Sequence, residues 1–200
     1  MELKETGLDH YNDEELMQMY SRGDFQAFEV LYGRHKGGLY RYFTRQTVNI
    51  SLAEDLFQEV WSRVIASANR YQVNAKFSTW LYTLAHNKLV DNVRHTKVVE
   101  KVIDEEQTYE NLTNIPTEHQ SNNPEQKLQT SIEAEALKQC LPRLPRMQLD
   151  SFLLKEEGAL SLADIAIVLD ASLEATKSRL RYAYRSLREC IELKLGKEVA

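Results

Sequence analysis

Three basic side chains repeat every four residues near the end of the sequence: Lys177, Arg181 and Arg185. At 3.6 residues per helical turn, this spacing puts the three charges on one face of a helix. A row of cations suits the successive phosphates of nucleic acid, so the predicted chemistry is binding and not catalysis. Spacing alone leaves a second interpretation open, which is a solvated basic face on a helical hairpin.

The residues before this stripe predict two short helices joined by a tight turn. Ser161, with Asp164 three residues later, has the pattern of a capping box, and Ser172 can cap a second helix. Asp170 lies in the turn, where Asp tolerates a left-handed backbone. A helix-turn-helix with a basic second helix predicts DNA binding. The candidate DNA-binding side chains are Ser172, Glu174, Thr176, Lys177, Ser178, Arg179, Arg181 and Arg185.

A second polar surface is predicted on a helix over residues 52–66, which we expect Ser51 to cap. Its exposed face carries Asp55, Gln58, Glu59 and Ser62. Asp55 and Glu59 are like charges four residues apart, which costs a few tenths of a kcal/mol in an isolated helix. A basic partner protein would offset that cost. The alternative is a solvated face helped by a pair between Glu59 and Arg63.

No catalytic site is expected. The five histidines are scattered, and the chain has no glycine-rich phosphate loop or nucleophile elbow. Cys140 and Cys190 fit no metal-ligand pattern, so we expect no metal, no cofactor and reduced thiols. The N-terminus is polar and no apolar run approaches the ~20 residues of a membrane span, so a cytoplasmic protein is expected.

Hydrophobic periodicity divides the chain into two helical parts. It runs through residues 13–97, is lost over 98–127 and returns over 128–195, with breaks near Pro142–Pro145 and Gly158. We expect Gly37–Gly38 to kink or break a helix. The predicted fold is all-α, with two small helical domains joined by an acidic linker. Residues 100–137 hold nine acids and two lysines.

These segments together resemble one family. Residues 155–188 resemble the C-terminal promoter-binding domain of bacterial RNA polymerase sigma factors, and residues 53–61 and 77–94 resemble the N-terminal domain of that family. The short length is similar to the extracytoplasmic-function group of the sigma-70 family. Asp170 departs from the glycine usual in the turn. The second helix of the helix-turn-helix begins with Leu173-Glu174-Ala175, where the family usually has small residues. Because of this departure, the resemblance does not indicate which −35 bases are recognised.

The resemblance implies a sigma factor, without enzyme activity, that binds core RNA polymerase and opens promoter DNA, in a stress or envelope response. Residues 13–97 would bind core polymerase through the face of Asp55, Gln58, Glu59 and Ser62. The same residues 13–97 would also bind the −10 element. Residues 128–195 would bind the −35 element through the helix-turn-helix. The −10 contacts are expected from the loop 69–76 and the helix after it, at Asn69, Arg70, Tyr71, Gln72, Asn74, Lys76, Asn87, Lys88, Asp91, Arg94 and His95.

Other hypotheses compete with this one. Phe77 and Trp80 could melt DNA, but their phase with Leu81 and Leu84 favours core packing. The acidic linker is either a disordered tether or, by resemblance, a segment that enters the RNA-exit path of polymerase. An anti-sigma factor is an expected partner. A stand-alone helix-turn-helix regulator and a helical adaptor protein remain as alternatives, and neither requires the segment 69–97.

Overall fold

The computed structural model describes the backbone of residues 7–47, 49–100 and 124–196, with side chains in these ranges except at 94–100 and 124–131. The described part contains helices and no strand, which confirms the all-α prediction. The eight α-helices are α1 (Asp13–Ser21), α2 (Phe25–Thr44), α3 (Ile50–Ser67), α4 (Phe77–Glu100), α5 (Pro124–Cys140), α6 (Arg146–Glu156), α7 (Leu162–Val168) and α8 (Leu173–Lys194). Short 3-10 turns follow α3 at Ala68–Arg70 and α5 at Leu141–Arg143.

Helices α1 to α4 form the N-terminal domain, in which each helix packs on the next. They enclose a core of fully buried apolar side chains, including Leu16, Leu31, Phe43, Phe77 and Leu81. Burial of large apolar groups of this kind contributes about 1.5–3 kcal/mol for each side chain. This core fixes α3 and α4 side by side, and these helices carry most of the candidate residues of this domain.

The start of α3 differs from the prediction. Asn49, and not Ser51, is the N-cap, because Oδ1 of Asn49 accepts a hydrogen bond of 2.8 Å from the backbone N–H of Ser51. Ser51 therefore lies in the first turn of α3 and is not its cap. Asn is as good a cap as Ser, so the pattern could not distinguish the two positions.

The helix break expected as one outcome at Gly37–Gly38 does not occur, because α2 is continuous from Phe25 to Thr44. Gly38 has a packing role. A Cβ atom at this position would overlap the backbone oxygen of Glu157, which precedes the turn after α6. The glycine thus permits a close approach between two parts of the chain that are far apart in sequence.

Helices α5 to α8 form the C-terminal domain, with α5, α6 and α7 all packed on α8. A disulfide of 2.03 Å joins Cys140 at the end of α5 to Cys190 in α8, which corrects the expectation of reduced thiols. Helix α4 extends to Glu100 and α5 begins at Pro124, so helix covers both ends of the segment predicted as a linker. The remaining linker residues, 101–123, lie outside the described residues. None of the described helices is long and apolar enough to cross a membrane.

Candidate functional site

A groove of about 820 Å³ between α3 and α4 brings together two sets of candidate residues that the sequence had assigned to different partners. One wall carries all four residues of the predicted polymerase-binding face, and the other carries three of the predicted −10 residues. The groove is lined by Asp55, Gln58, Glu59, Val60, Ser62, Arg63, Leu84, Asn87, Lys88, Val90 and Asp91. Sequence spacing had placed each set on one helix face but did not indicate that the two faces meet.

The acidic face of α3 is open to solvent at Asp55, Gln58, Glu59 and Ser62. Glu59 does not use Arg63 as its partner. Oε2 of Glu59 lies 2.5 Å from Nζ of Lys88 in α4, and the two side chains are 53% and 43% exposed. An ion pair this exposed contributes at most about 1 kcal/mol, so either charge can exchange its partner at little cost.

The loop before α4 presents polar side chains to solvent. Asn69, Arg70, Gln72, Asn74 and Lys76 are all exposed. The loop is held in place at its end by Glu14, whose Oε1 accepts a hydrogen bond of 2.5 Å from the backbone N–H of Phe77 at the start of α4. A first-turn N–H has no partner within its own helix, so this bond satisfies it.

Tyr71 differs from its neighbours in the loop. Its ring is half-buried and lies 5.3 Å from Trp80 and 6.3 Å from Phe77 between centroids. Burial, together with the charge of Glu14, raises the pKa of Tyr71 to about 12. The ring therefore anchors the loop against the first turns of α4. Phe77 is fully buried, as core packing predicted.

Further along α4, Asn87 and Asp91 are exposed and Lys88 is half-exposed. Arg94 and His95 lie within α4, but their side chains are outside the described part of the chain. His86, which no prediction included, is half-buried, with its Nδ1 3.4 Å from the hydroxyl of Tyr42. Burial lowers the pKa of His86, and the positive charge of Arg146 lowers it further.

Helices α7 and α8 form the predicted helix-turn-helix. Ser161 and Asp164 make the expected capping box at α7, and Ser172 caps α8 by accepting a hydrogen bond of 3.1 Å from the N–H of Ala175. Asp170 has a φ of 46°, the left-handed conformation that the turn requires. These contacts confirm the local structure predicted for residues 161–188.

The basic stripe of Lys177, Arg181 and Arg185 is exposed along α8. The guanidinium carbons of Arg181 and Arg185 each lie 5.2 Å from the centroid of the Tyr182 ring. This arrangement holds the two cations over an aromatic face, which limits their freedom. Nε of Arg185 also lies 3.8 Å from Oε1 of Glu189, one turn further along α8. Lys177 is paired with Glu174 in the first turn of α8 at 2.8 Å, and both are exposed.

Two of the eight predicted −35 residues point elsewhere. Thr176 is fully buried, and its hydroxyl donates a hydrogen bond of 3.1 Å to the backbone oxygen of Ser172. Arg179 is half-buried with one terminal nitrogen enclosed, and its charge acts on Asp150 of α6. Burial raises the pKa of Asp150, while Arg146 and Arg179 oppose that rise. Thr176 lies in phase with the apolar seam of α8, which explains its burial.

A set of contacts between the two domains had no counterpart in the predictions. Glu157, whose side chain is 5% exposed, accepts from Nε of Arg41 at 2.6 Å and also pairs with Arg45. Asp164 accepts from Oγ1 of Thr79 at 2.9 Å and from Nζ of Lys76 at 3.3 Å. Both carboxylates come from the C-terminal domain, and all four donors come from the N-terminal domain.

The described residues contain no cluster of His, Cys, Asp and Glu able to hold a metal ion.

The comparisons with known proteins agree with this architecture. Residues 31–98, from the middle of α2 to the end of α4, match the family described as sigma-70 region 2. The chain is 29% identical over 180 residues to the RNA polymerase sigma factor CarQ of Myxococcus xanthus, covering 90% of this chain and 98% of that protein. It is 27% identical over 174 residues to the ECF RNA polymerase sigma factor SigW of Bacillus subtilis, with 86% and 93% covered.

Two solved structures share the fold. The sigma factor RpoE of Bartonella quintana, solved with the anti-sigma factor NepR, matches with a TM-score of 0.68 at 19% identity, covering 82% of this chain and 96% of that one. CnrH, solved with the cytosolic domain of CnrY, matches with a TM-score of 0.61 at 18% identity, covering 90% and 97%.

The fold is a two-domain helical arrangement, and residues 31–98 match sigma-70 region 2. Over most of its length the chain is similar to RNA polymerase sigma factors, among them a member of the extracytoplasmic-function group.

Proposed function

We propose that this chain binds core RNA polymerase, directs it to promoters with −10 and −35 elements and promotes opening of the DNA. Its relatives are transcription initiation factors and not enzymes, so polymerase supplies the chemistry of RNA synthesis. The observation that carries this proposal is the groove between α3 and α4, where an acidic face and a set of polar DNA-binding candidates adjoin inside the segment that matches sigma-70 region 2.

Within this function, the exposed face of Asp55, Gln58, Glu59 and Ser62 is the proposed contact with polymerase. The two exposed carboxylates of this face are suited to a basic surface of a partner protein. The like charges of Asp55 and Glu59 repel each other on α3. In the free chain Lys88 partly offsets this repulsion, and a cationic partner would offset it further.

The −10 element is the proposed ligand of the loop 69–76 and of the exposed side of α4. Amide side chains at Asn69, Gln72 and Asn74 both donate and accept hydrogen bonds, so they can recognise the edges of unpaired bases. Arg70 and Lys76 supply positive charge for the backbone. Opening a base step costs a few kcal/mol, and contacts to the displaced base recover that cost.

The −35 element is the proposed ligand of α8. The start of this helix would enter the major groove, while Arg181 and Arg185 further along would contact phosphates. Thr176 is excluded from this surface because it is buried. An anti-sigma factor is the proposed inhibitory partner, and a stress or envelope response is the proposed setting.

The experiment is a comparison of promoter binding by the chain alone and with core polymerase. We expect specific binding of duplex DNA only by the complex, and we expect the purified chain to be a monomer. Tight binding by the chain alone as a dimer would favour a stand-alone regulator. Failure to bind either core polymerase or DNA would favour an adaptor protein.

A further inference from the structure

We propose that helix α1 positions the loop 69–76 for recognition of the −10 element, and that Glu14 is the residue through which it does so. Helix α1 precedes residues 31–98, the part of the chain that matches sigma-70 region 2. The inference rests on the proposed function, because it adds to that function a positioning residue that acts on the −10 element through the loop.

The residue before α4 cannot cap this helix with its side chain. The backbone oxygen of Lys76 accepts a hydrogen bond of 3.1 Å from the N–H of Trp80, so Lys76 occupies the cap position. A lysine side chain has three donors and no acceptor, so it cannot satisfy the first-turn N–H groups. Five other helices are capped by the side chain of the residue before them, at Asn12, Asp24, Asn49, Ser161 and Ser172.

Glu14 of α1 supplies an acceptor to α4 in place of a local cap. Its Oε1 accepts the hydrogen bond of 2.5 Å from the N–H of Phe77, the first residue of α4. A carboxylate at this end of a helix also interacts favourably with the helix dipole. The start of α4, and with it the end of the loop, is therefore fixed by a residue 63 positions earlier in the chain.

Helix α1 is itself held at its first turn. Glu15 and Asn12 form a capping box through two hydrogen bonds of 2.9 Å. Asp13 accepts a hydrogen bond of 2.8 Å from Arg34 of α2, and its other oxygen lies 2.6 Å from Nε2 of His35. Of three consecutive carboxylates, the outer two thus fix α1 and the middle one is directed at α4.

Helix α1 also contacts the beginning of the loop. It packs on the 3-10 turn Ala68–Arg70, where the loop starts. The next residue, Tyr71, lies with its ring 6.3 Å from that of Phe77. Burial raises the pKa of Tyr71, and the charges of Glu14 and Asp13 raise it further, so both carboxylates act on its hydroxyl. One helix therefore holds both ends of the loop, and the exposed polar side chains between them depend on it for their position.

Such positioning matters most for contacts with bases. A hydrogen bond to a base edge requires a donor–acceptor distance of about 2.7–3.2 Å, so a loop displaced by ~1 Å would lose it. The long side chains of Arg70 and Lys76 can follow a phosphate over such a shift, and phosphate contacts carry no sequence information. Loss of the bond from Glu14 should therefore reduce discrimination between −10 bases more than it reduces affinity.

Four variants of the full-length chain test this role. Glu14→Ala removes the acceptor, whereas Glu14→Gln keeps an acceptor oxygen without the charge. Glu29→Ala is the matched control, because it removes the same charge at an exposed acid on α2. Lys76→Ser gives α4 a local cap. Because this change removes a proposed −10 contact, the effect of Glu14→Ala is measured separately with Lys76 retained and with Lys76→Ser.

Amide hydrogen exchange of the free chain measures the cap. We expect Glu14→Ala to accelerate exchange at Phe77 and in the loop about tenfold, while Glu14→Gln and Glu29→Ala stay close to the parent. Circular dichroism checks that each variant keeps its helical content. Unchanged exchange in Glu14→Ala would show that Glu14 does not hold α4, and this result overturns the proposal.

The complex with core polymerase is then titrated with labelled single-stranded −10 oligonucleotides, namely the sequence selected by the parent and its single-base changes. We expect Glu14→Ala to lower the ratio of these affinities about tenfold and to leave affinity for core polymerase unchanged. With Lys76→Ser present, Glu14→Ala should have no further effect. Faster exchange with an unchanged ratio, or the same loss in Glu29→Ala, overturns the positioning role. If the parent complex does not discriminate between −10 bases, the proposed function fails, while hydrogen exchange still decides whether Glu14 caps α4.

Discussion

Glu59 of α3 and Lys88 of α4 form an ion pair across the groove, with Oε2 and Nζ 2.5 Å apart. The two residues belong to surfaces proposed for different partners, polymerase for Glu59 and the −10 element for Lys88. Both side chains are close to half exposed, so solvent screens the pair and its loss costs little. Polymerase binding at Glu59 would release Lys88 for DNA, which links the two binding events through one contact.

Charge reversal on the acidic face should weaken polymerase binding. We expect Asp55→Lys/Glu59→Lys to lower affinity for core polymerase by about tenfold or more, because cationic side chains there would oppose a basic partner. The effect should decrease as salt is raised. Fluorescence anisotropy of a labelled chain titrated with core polymerase measures the change.

The control for that experiment is Glu29→Lys/Glu54→Lys, which makes the same change in net charge at two other exposed acids. This control should bind like the parent. Equal affinities for the parent and for the Asp55/Glu59 variant, with helical content retained, would remove this face from the interface.

Exchange of the loop should change the preferred −10 bases. We expect a chain that carries another sigma factor's residues at 69–76 to select a different −10 sequence and to keep its −35 preference. Tyr71 should be retained in the exchange, since its ring packs on Trp80 and holds the loop. Selection from a library randomised at −10 measures the preference. Recovery of the parent's −10 sequence would mean that the loop does not recognise these bases.

The exposed residues of α8 should make two kinds of contact with the −35 element, one with phosphates and one with bases. Arg185 lies about three turns from the start of α8, so Arg185→Ala should weaken binding equally for all −35 sequences and reduce the salt dependence of log K by about 0.9. Lys177→Ala and Ser178→Ala, near the helix start, should alter which −35 bases are preferred. Holoenzyme affinity for −35 variants at several salt concentrations tests both statements. A change of base preference with Arg185→Ala contradicts the assignment.

The disulfide should stabilise the C-terminal domain. Cys140 and Cys190 are 50 residues apart, and a loop of this size is expected to contribute about 2–4 kcal/mol to the free energy of unfolding. Thermal melts of the chain with and without reductant measure this difference. Cys140→Ala/Cys190→Ala serves as the control, because its melting temperature should not respond to reductant. Identical melts for the parent in both conditions would mean that the bond adds no stability.

The local structure followed from the sequence where short-range chemistry determines it. The capping box of Ser161 and Asp164, the cap at Ser172 and the left-handed Asp170 are all contacts within a few residues, and all were predicted. Periodicity also placed Phe77 in the core. The prediction of Ser51 as the N-cap of α3 was wrong, because Asn49 lies two residues earlier and Asn and Ser are nearly equally good caps.

Contacts between distant parts of the chain could not be predicted in this way. Glu157 and Arg41 are 116 residues apart, and no spacing rule relates them. The same holds for Cys140 and Cys190, because a lack of metal-ligand spacing does not reveal whether two distant cysteines meet in the fold. Gly38 gave a local indication of close packing, but as a helical glycine it was interpreted as a kink. The pair of Glu59 and Lys88 likewise depends on how α3 packs against α4.

This chain should give core polymerase its choice of promoter. The most direct measurement is in vitro transcription by core polymerase, with and without the chain, on a library of randomised promoters whose transcript ends are sequenced. We expect initiation only when the chain is present, from templates that share one −10 and one −35 sequence at a fixed spacing. Transcripts with no shared elements, or the same start sites with core polymerase alone, would contradict it.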